Sequence, residues 1–392
     1  MITSQFQEKT LPLLGFGTMR LPLTADGSID EPRVKEMIDS AMTHGVNYFD
    51  TAYPYHEGNS ERVIGHLLRE YPRDSYYLAT KYPGHQLLST GYNPAAIFEK
   101  QLEKCGVDYF DFYLLHNVYE KSVETYLDPQ WGILDYFKEQ KRLGRIKHLG
   151  FSTHAQTNCL KDFLDLHGKD MEFCQIQLNY LDWTLQDAKA KYELLSKYSI
   201  PVWVMEPVRG GKLVKLNAET EAKLKSLRPD ESIAAWGFRF LQTLPNVKVV
   251  LSGMSNLEQM QDNIKTFSTQ KPLTDAEFSL LLDIAESMKK SVPCTACRYC
   301  CDGCPVGLDI PTFLNTYNEL RVAPSTNAVM HIEFMEEAKK PSACIACGNC
   351  THICPQNIDI PSALQDLCNI IQKLPSWTDI CRQREVAANK DI

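Results

Sequence analysis

The chain has 392 residues, 44% of them apolar, with 41 lysines and arginines against 49 aspartates and glutamates, a formal charge of -8. That length supports a large core and more than one domain, and an acidic balance without basic runs offers no surface for nucleic acid or an anionic membrane. The start Met1-Ile2-Thr3-Ser4-Gln5 has no export signal, and no apolar stretch approaches the roughly 18 residues that span a bilayer, so a cytoplasmic protein is expected.

From the start to about residue 265, short apolar runs alternate with amphipathic segments, at 13–17, 46–50, 76–81, 110–116, 146–152, 173–178, 202–206 and 247–252. Between them come helical patterns such as Val34, Ile38, Ala41 and Met42, with Gly45 as the stop. Eight strand–helix repeats predict an α/β fold, a (β/α)8 TIM barrel, which takes about 250 residues. A doubly wound sheet competes, but the G-x-G-x-x-G turn expected after its first strand is missing. A last helix over about 274–290 closes a first domain of residues 1–290.

The next stretch repeats itself, with CTACRYCCDGCPVGLDIP at 294–311 against CIACGNCTHICPQNIDIP at 344–361. Each copy reads C-x2-C-x2-C-x3-C-P, the spacing in which three thiolates hold one [4Fe-4S] cluster and the fourth crosses to the other. Cys294, Cys297, Cys300 and Cys354 are therefore expected around one cluster, and Cys344, Cys347, Cys350 and Cys304 around the second. Zinc fits less well, because its loops supply ligands in twos or fours. Of fourteen cysteines eight sit in these runs, in a chain without export signals, which favours metal ligation over disulfides. Cys301 reads as a packed thiol. Helices are expected from Pro311 and Pro361 and around Val329, Ile332, Phe334 and Met335, making residues 291–374 a small, mainly α-helical ferredoxin-like domain and 375–392 a tail without a readable pattern.

Polar residues stand where barrel strands end, Asp50, Lys81, His116, Ser152, the 175–179 stretch, Glu206 and Ser252 among them. That face carries the active site of barrel enzymes. Singly, each has a plain explanation such as a helix cap. The runs N-Y-F-D-T-A-Y-P-Y at 47–55, A-T-K at 79–81, L-L-H-N at 114–117 and G-F-S-T-H at 150–154 resemble the aldo-keto reductase family, in order and spacing, over roughly 11–265. The cysteine-rich end resembles the subgroup fused to a two-cluster domain. The resemblance implies that Tyr55 is the proton donor, Asp50 and Lys81 its tuning pair, and His116 the group orienting the substrate carbonyl. It places an NAD(P)H cofactor against Gly17, Thr18 and Met19, against Ser152 and Gln175, against Gly211 and Lys212, and at its adenosine end against Ser255, Gln259, Asp262 and Asn263. Tyr53, His56 and Glu57 read as surface-loop residues.

Chemistry supports these roles independently. Hydride reduction of a carbonyl leaves an alkoxide, and a free phenol with a pKa of about 10 donates its proton poorly near neutrality. A nearby ammonium corrects this by stabilising phenolate, and a carboxylate keeps the ammonium charged. Two departures from the family stand out. Met205 occupies the strand end where many members stack an aromatic on the nicotinamide, with Trp203 two residues earlier on the same face, and no Arg or Lys lies between 252 and 263 to pair a 2'-phosphate. A hydride carries two electrons and each cluster takes one, so three readings stay open. The chain is a carbonyl reductase of a small carbonyl or alcohol whose clusters serve assembly, sensing or a separate electron path to a ferredoxin or flavodoxin. Alternatively a flavin (FMN) in the barrel splits electron pairs onto the clusters, or the barrel is a non-enzymatic regulatory or electron-carrier module.

Overall fold

The structure, a computed structural model, describes residues 1–85, 91–288, 292, 294, 296, 298–322, 324–354, 356 and 358–389. Cys297 and the Lys289-Lys290 helix end lie outside the described residues. The chain divides into two compact units, Met1–Ser279 with Arg384–Ile392, and Leu280–Gln383.

In the first unit a hairpin of β1 (Thr3–Phe6) and β2 (Lys9–Pro12) precedes eight parallel strands. These are β3 (Leu14–Gly17), β4 (Tyr48–Asp50), β5 (Tyr77–Tyr82), β6 (Phe110–Leu115), β7 (Ile146–Thr153), β8 (Cys174–Gln177), β9 (Val202–Met205) and β10 (Val247–Ser252). They close into a barrel in sequence order, β10 pairing with β3 through Val250↔Leu14 and Ser252↔Phe16. All eight lie where apolar runs predict strands. Nearly every strand residue is buried because the helix layer covers the outer face while side chains fill the interior. Gly150 belongs to the close approach of β7 and the Phe173 backbone, where a Cβ would fall 2.5 Å from the Phe173 carbonyl oxygen.

The hairpin is a finding the sequence patterns missed, its strands being four residues long with polar residues among them. It plugs the barrel floor. The Phe6 ring centroid lies 5.0 Å from those of Trp203 and His148 and 5.8 Å from that of Phe112. Trp203 Nε1 donates to Tyr48 Oη at 3.0 Å in the same layer. Trp203 shares its strand face with Met205 but stands one layer deeper, as a floor residue. Its bulk is taken up by an aromatic core with Phe6, Tyr48, Phe112 and Phe173.

The helix expected over 274–290 appears as Asp275–Met288. Its start is a capping box, with Glu277 N donating to Thr274 Oγ1 at 3.3 Å and Thr274 N to Glu277 Oε2 at 2.9 Å. In the second unit the cysteine repeat is a structural repeat. Helices Ile310–Val322 and Ile360–Ile371 pack on each other, as do the short helices Tyr299–Asp302 and Asn349–Ile353. Each long helix begins one residue before its proline, which takes an early position where its missing N–H costs nothing. Helix Thr326–Glu333 fills the intervening segment, and Leu308, Phe313, Leu314, Leu320, Ile360 and Leu367 belong to the core. The last segment, without a readable pattern, is helical at Trp377–Asn389. Its first turn is capped from a distance, with Trp377 N donating to Glu333 Oε2 at 2.6 Å and Thr378 N to Oε1 at 3.0 Å.

Candidate active site and cluster sites

Adjacent parallel strands β4 and β5 bring Asp50 and Lys81 together at the carboxyl end of the barrel. Lys81 Nζ donates to Asp50 Oδ1 at 2.5 Å and to the Thr51 carbonyl at 2.7 Å, both side chains being buried. Burial works against the ammonium, but Asp50 and the Tyr55 phenol outweigh it and hold Lys81 above its usual value. Burial likewise pushes the Asp50 carboxyl up, against the pull of Lys81. Lys81 Nζ stands 5.0 Å from the centre of the Tyr55 ring.

Tyr55 is half-buried on a turn that doubles back through three positive φ angles, His56 at 51°, Glu57 at 56° and Gly58 at 89°. Its ring meets that of His116 edge-on, with centroids 6.1 Å apart. The four residues expected to act together therefore converge. Two further neighbours join them, Asn117 from the L-L-H-N run and His85, which no motif marks. His85 is buried with its ring centroid 4.2 Å from that of His116, and Asn117, at φ 57°, donates its N–H to Ser152 Oγ at 2.8 Å and accepts from His154 N at 3.1 Å. His85 carried no signal because it lies in a loop without a motif. His56 and Tyr53 do lie in the loop, half-buried and held by neighbours. His56 Nε2 accepts from Leu21 N at 3.2 Å and burial lowers its pKa, while Tyr53 lies under Lys104, 4.6 Å from the ring centre.

The expected cofactor residues lie at the same end of the barrel. Gln175 is buried with Oε1 accepting no hydrogen bond from the described residues, an orphan that a carboxamide N–H would satisfy. Thr18 is locked beneath, its hydroxyl donating to the Asp50 carbonyl at 3.0 Å and 2.8 Å from Ser60 Oγ, whereas Gly17 and Met19 stay more open. Met205 is half-buried at its strand end. Gly211, at φ 87°, and the exposed Lys212 follow β9. Burial first, then Arg209 and Arg20, pulls Lys212 below the usual lysine value against Glu206. Helix Leu257–Phe267 starts at Asn256, whose side chain accepts from Gln259 N at 2.8 Å, and Gln259 Oε1 in turn accepts from Ser255 N at 2.8 Å. Ser255 Oγ donates to the Arg20 carbonyl at 2.9 Å. Asp262 and Asn263 are partnered within the barrel, accepting from Ser232 Oγ at 2.6 Å and donating to Ser252 Oγ at 2.8 Å respectively.

In the second unit the sulfurs fall into two groups. Cys304, Cys344, Cys347 and Cys350 line one small apolar cavity with Leu308 and Leu364. Cys294, Cys300 and Cys354 line another with Leu314 and Ile360. Cys304 thus stands with the second run's trio, and Cys354 with Cys294 and Cys300 of the first. Among the described residues no three such side chains close tightly enough for a single metal ion. Walls of sulfur around an apolar hole fit a cluster better than zinc. The two loops are conformational copies, with Ala296 (φ 54°) and Arg298 (φ 67°) matching Ala346 (φ 52°) and Gly348 (φ 77°). Backbone N–H groups reach the sulfurs, Leu308 N to Cys304 Sγ at 3.5 Å and Ala346 N to Cys344 Sγ at 3.4 Å, contacts that tune a cluster's potential.

Comparison with known proteins agrees with this geometry. Residues 13–286 match the Aldo/keto reductase family and residues 293–358 a 4Fe-4S dicluster domain. An NADH-specific methylglyoxal reductase of Escherichia coli is 24% identical over 72% of this chain and 97% of its own length, and an uncharacterized oxidoreductase of Bacillus subtilis is 25% identical over 68% and 90%. Among solved structures, a Bacillus halodurans aldo-keto reductase in its holo form is 25% identical with a TM-score of 0.58, covering 72% of this chain and 96% of that one. A thermostable aldo-keto reductase bound to the inhibitor epalrestat shares the fold at a TM-score of 0.59 and 20% identity, over 72% of this chain and all of its own. Among the described residues no helix is long and apolar enough to cross a membrane. With the family match spanning most of the barrel and the dicluster match following it, the chain belongs to the aldo/keto reductase family as an oxidoreductase carrying a 4Fe-4S dicluster domain.

Proposed function

We propose that the barrel reduces a small carbonyl compound, with NADH favoured over NADPH, and that the domain behind it in sequence carries single electrons. The observation that carries this reading is the buried Asp50–Lys81 ion pair set against Tyr55. A nicotinamide would supply hydride when bound, and Gln175 and Ser152 would hold its carboxamide. Tyr55 donates its hydroxyl proton to the oxygen that becomes an alcohol, Lys81 stabilises the phenolate left behind, and Asp50 keeps Lys81 charged. His116, backed by His85, orients the carbonyl oxygen. NADH is favoured because residues 252–263 offer no cation to a 2'-phosphate and Gln259 already occupies the Ser255 N–H. We assign Cys294, Cys297, Cys300 and Cys354 to one cluster and Cys344, Cys347, Cys350 and Cys304 to the other. We assign residues 1–290 to the barrel domain, 291–374 to the ferredoxin-like domain and 375–392 to a tail that is helical at Trp377–Asn389, with a ferredoxin or flavodoxin as the electron partner. The flavin expectation has no support in the comparisons.

The Escherichia coli relative makes 2-oxoaldehydes of the methylglyoxal kind the first substrates to try. Anaerobic protein with its iron in place should oxidise NADH in an aldehyde-dependent way, and Tyr55→Phe should lower kcat by about 100-fold or more, the scale of general acid catalysis. Full activity in Tyr55→Phe would remove the proposed donor. Slow or absent bleaching of cluster absorbance by NADH alone is expected, since a hydride donor and one-electron clusters exchange poorly without a mediator.

A further inference from the structure

Behind Lys81 lies a second buried carboxylate that the proposed chemistry does not use. Successive strand residues face opposite sides. Lys81 points to Asp50 and Tyr55, while Thr80 points into the helix layer and donates to Glu61 Oε1 at 2.7 Å. Glu61, wholly buried on helix Asn59–Leu68, also accepts from Gln101 Nε2 at 2.6 Å. Gln101, on helix Pro94–Cys105, passes the grip on, its Nε2 3.1 Å from the Lys81 carbonyl and its Oε1 accepting from Tyr113 Oη at 2.5 Å. Lys104 Nζ on the same helix stands 3.7 Å from Glu61 Oε2 and donates to the Gly58 carbonyl at 3.1 Å, the end of the turn that carries Tyr55.

Burial drives the Glu61 carboxyl up, opposed first by Lys104, so the pair is costly to keep. Well-packed apolar side chains would stabilise this spot as well, which points to geometry as what the pair supplies. We infer that Glu61 and Lys104 are positioning residues for proton donation, clamping the backbone of Lys81 from behind and the turn of Tyr55 from below, so that phenol and ammonium meet in register. The inference rests on Tyr55 being the donor. An error of about 1 Å in such placement costs about 100-fold in rate.

The test is steady-state kinetics of the full chain with its clusters, with NADH and methylglyoxal. Glu61→Ala, which removes the acceptor, should lower kcat at least tenfold while KM for both substrates stays within twofold. Glu61→Gln keeps the Oε1 acceptor for Thr80 and Gln101 and should recover most of kcat. A folded Glu61→Ala with kcat within twofold of the native enzyme overturns the inference, and so does Glu61→Gln as slow as Glu61→Ala. Should Glu61→Ala fail to fold, Gln101→Leu, which cuts the same link to the Lys81 carbonyl, carries the test with the same expected split, and unchanged kcat there is equally fatal. An active Tyr55→Phe would instead strike the donor assignment, leaving the two failures distinguishable.

Discussion

Lys81 shows how much one residue's meaning depends on its partner. An ammonium so buried survives because Asp50 stands 2.5 Å away, and removing one member strands the other. We therefore expect Lys81→Met to destabilise the barrel by about 3–5 kcal/mol, and Asp50→Asn with Lys81→Met to recover much of that loss, measured by denaturant unfolding. A single variant as stable as the native chain would mean that the pair is not charged. At this scale the sequence was legible where a motif carried the residue, as for Asp50, Tyr55, Lys81 and His116. Glu61, Lys104 and His85 carried no such mark, since a buried Glu reads in sequence like any amphipathic helix's acidic residue. Asp262 shows the reverse limit, because its carboxylate is engaged by Ser232 on a neighbouring helix that sequence reading could not bring to it.

Elements depend on one another at the barrel floor. Glu172, just before β8, ties three of them together through four contacts. Oε1 accepts from Leu149 N at 2.9 Å and pairs with Lys141 Nζ at 2.6 Å, while Oε2 accepts from Gln7 Nε2 at 2.9 Å and lies 3.0 Å from His148 Nδ1. Burial opposes the charge, but the hydrogen bonds from His148, Lys141, Gln7 and Leu149 overcome it and hold the carboxyl at about 2, below its ordinary 4.5. A depressed carboxyl stabilises the fold above the unfolded value and loses that contribution as it protonates. Stability should therefore fall as pH drops from 4.5 toward 2, and Glu172→Gln should flatten that part of the unfolding curve. An unchanged slope would show that another carboxylate governs the acid limb. The eight strands were legible because each is a short apolar run between helical periods, whereas the hairpin and the final helix were not. Phe6 and Leu11 become core only when the barrel floor is there to receive them, and the Trp377 turn only when Glu333 caps it.

At the scale of the whole molecule, one chain of two compact units joins an aldo/keto reductase family match to a 4Fe-4S dicluster domain match. Cys304 stands among the second run's sulfurs, so Cys304→Ala should disturb the cluster of Cys344, Cys347 and Cys350 while the spectroscopic signal of the other persists. Loss of the opposite signal would refute the crossed pairing. The sequence by itself determined the barrel, the cluster motifs and the family, because strand runs, helix stops and C-x2-C-x2-C-x3-C-P are local patterns fixed by backbone geometry and ligand reach. Only the tertiary structure decided what stands behind and beneath the site. The Glu61–Lys104 clamp, the His85–His116 contact, the hairpin plug and the burial of Trp203 join residues far apart in the chain, up to the pair Phe6 and Trp203. Such contacts form because a closed barrel brings distant segments into one dry interior, where a buried polar group without a partner is costly.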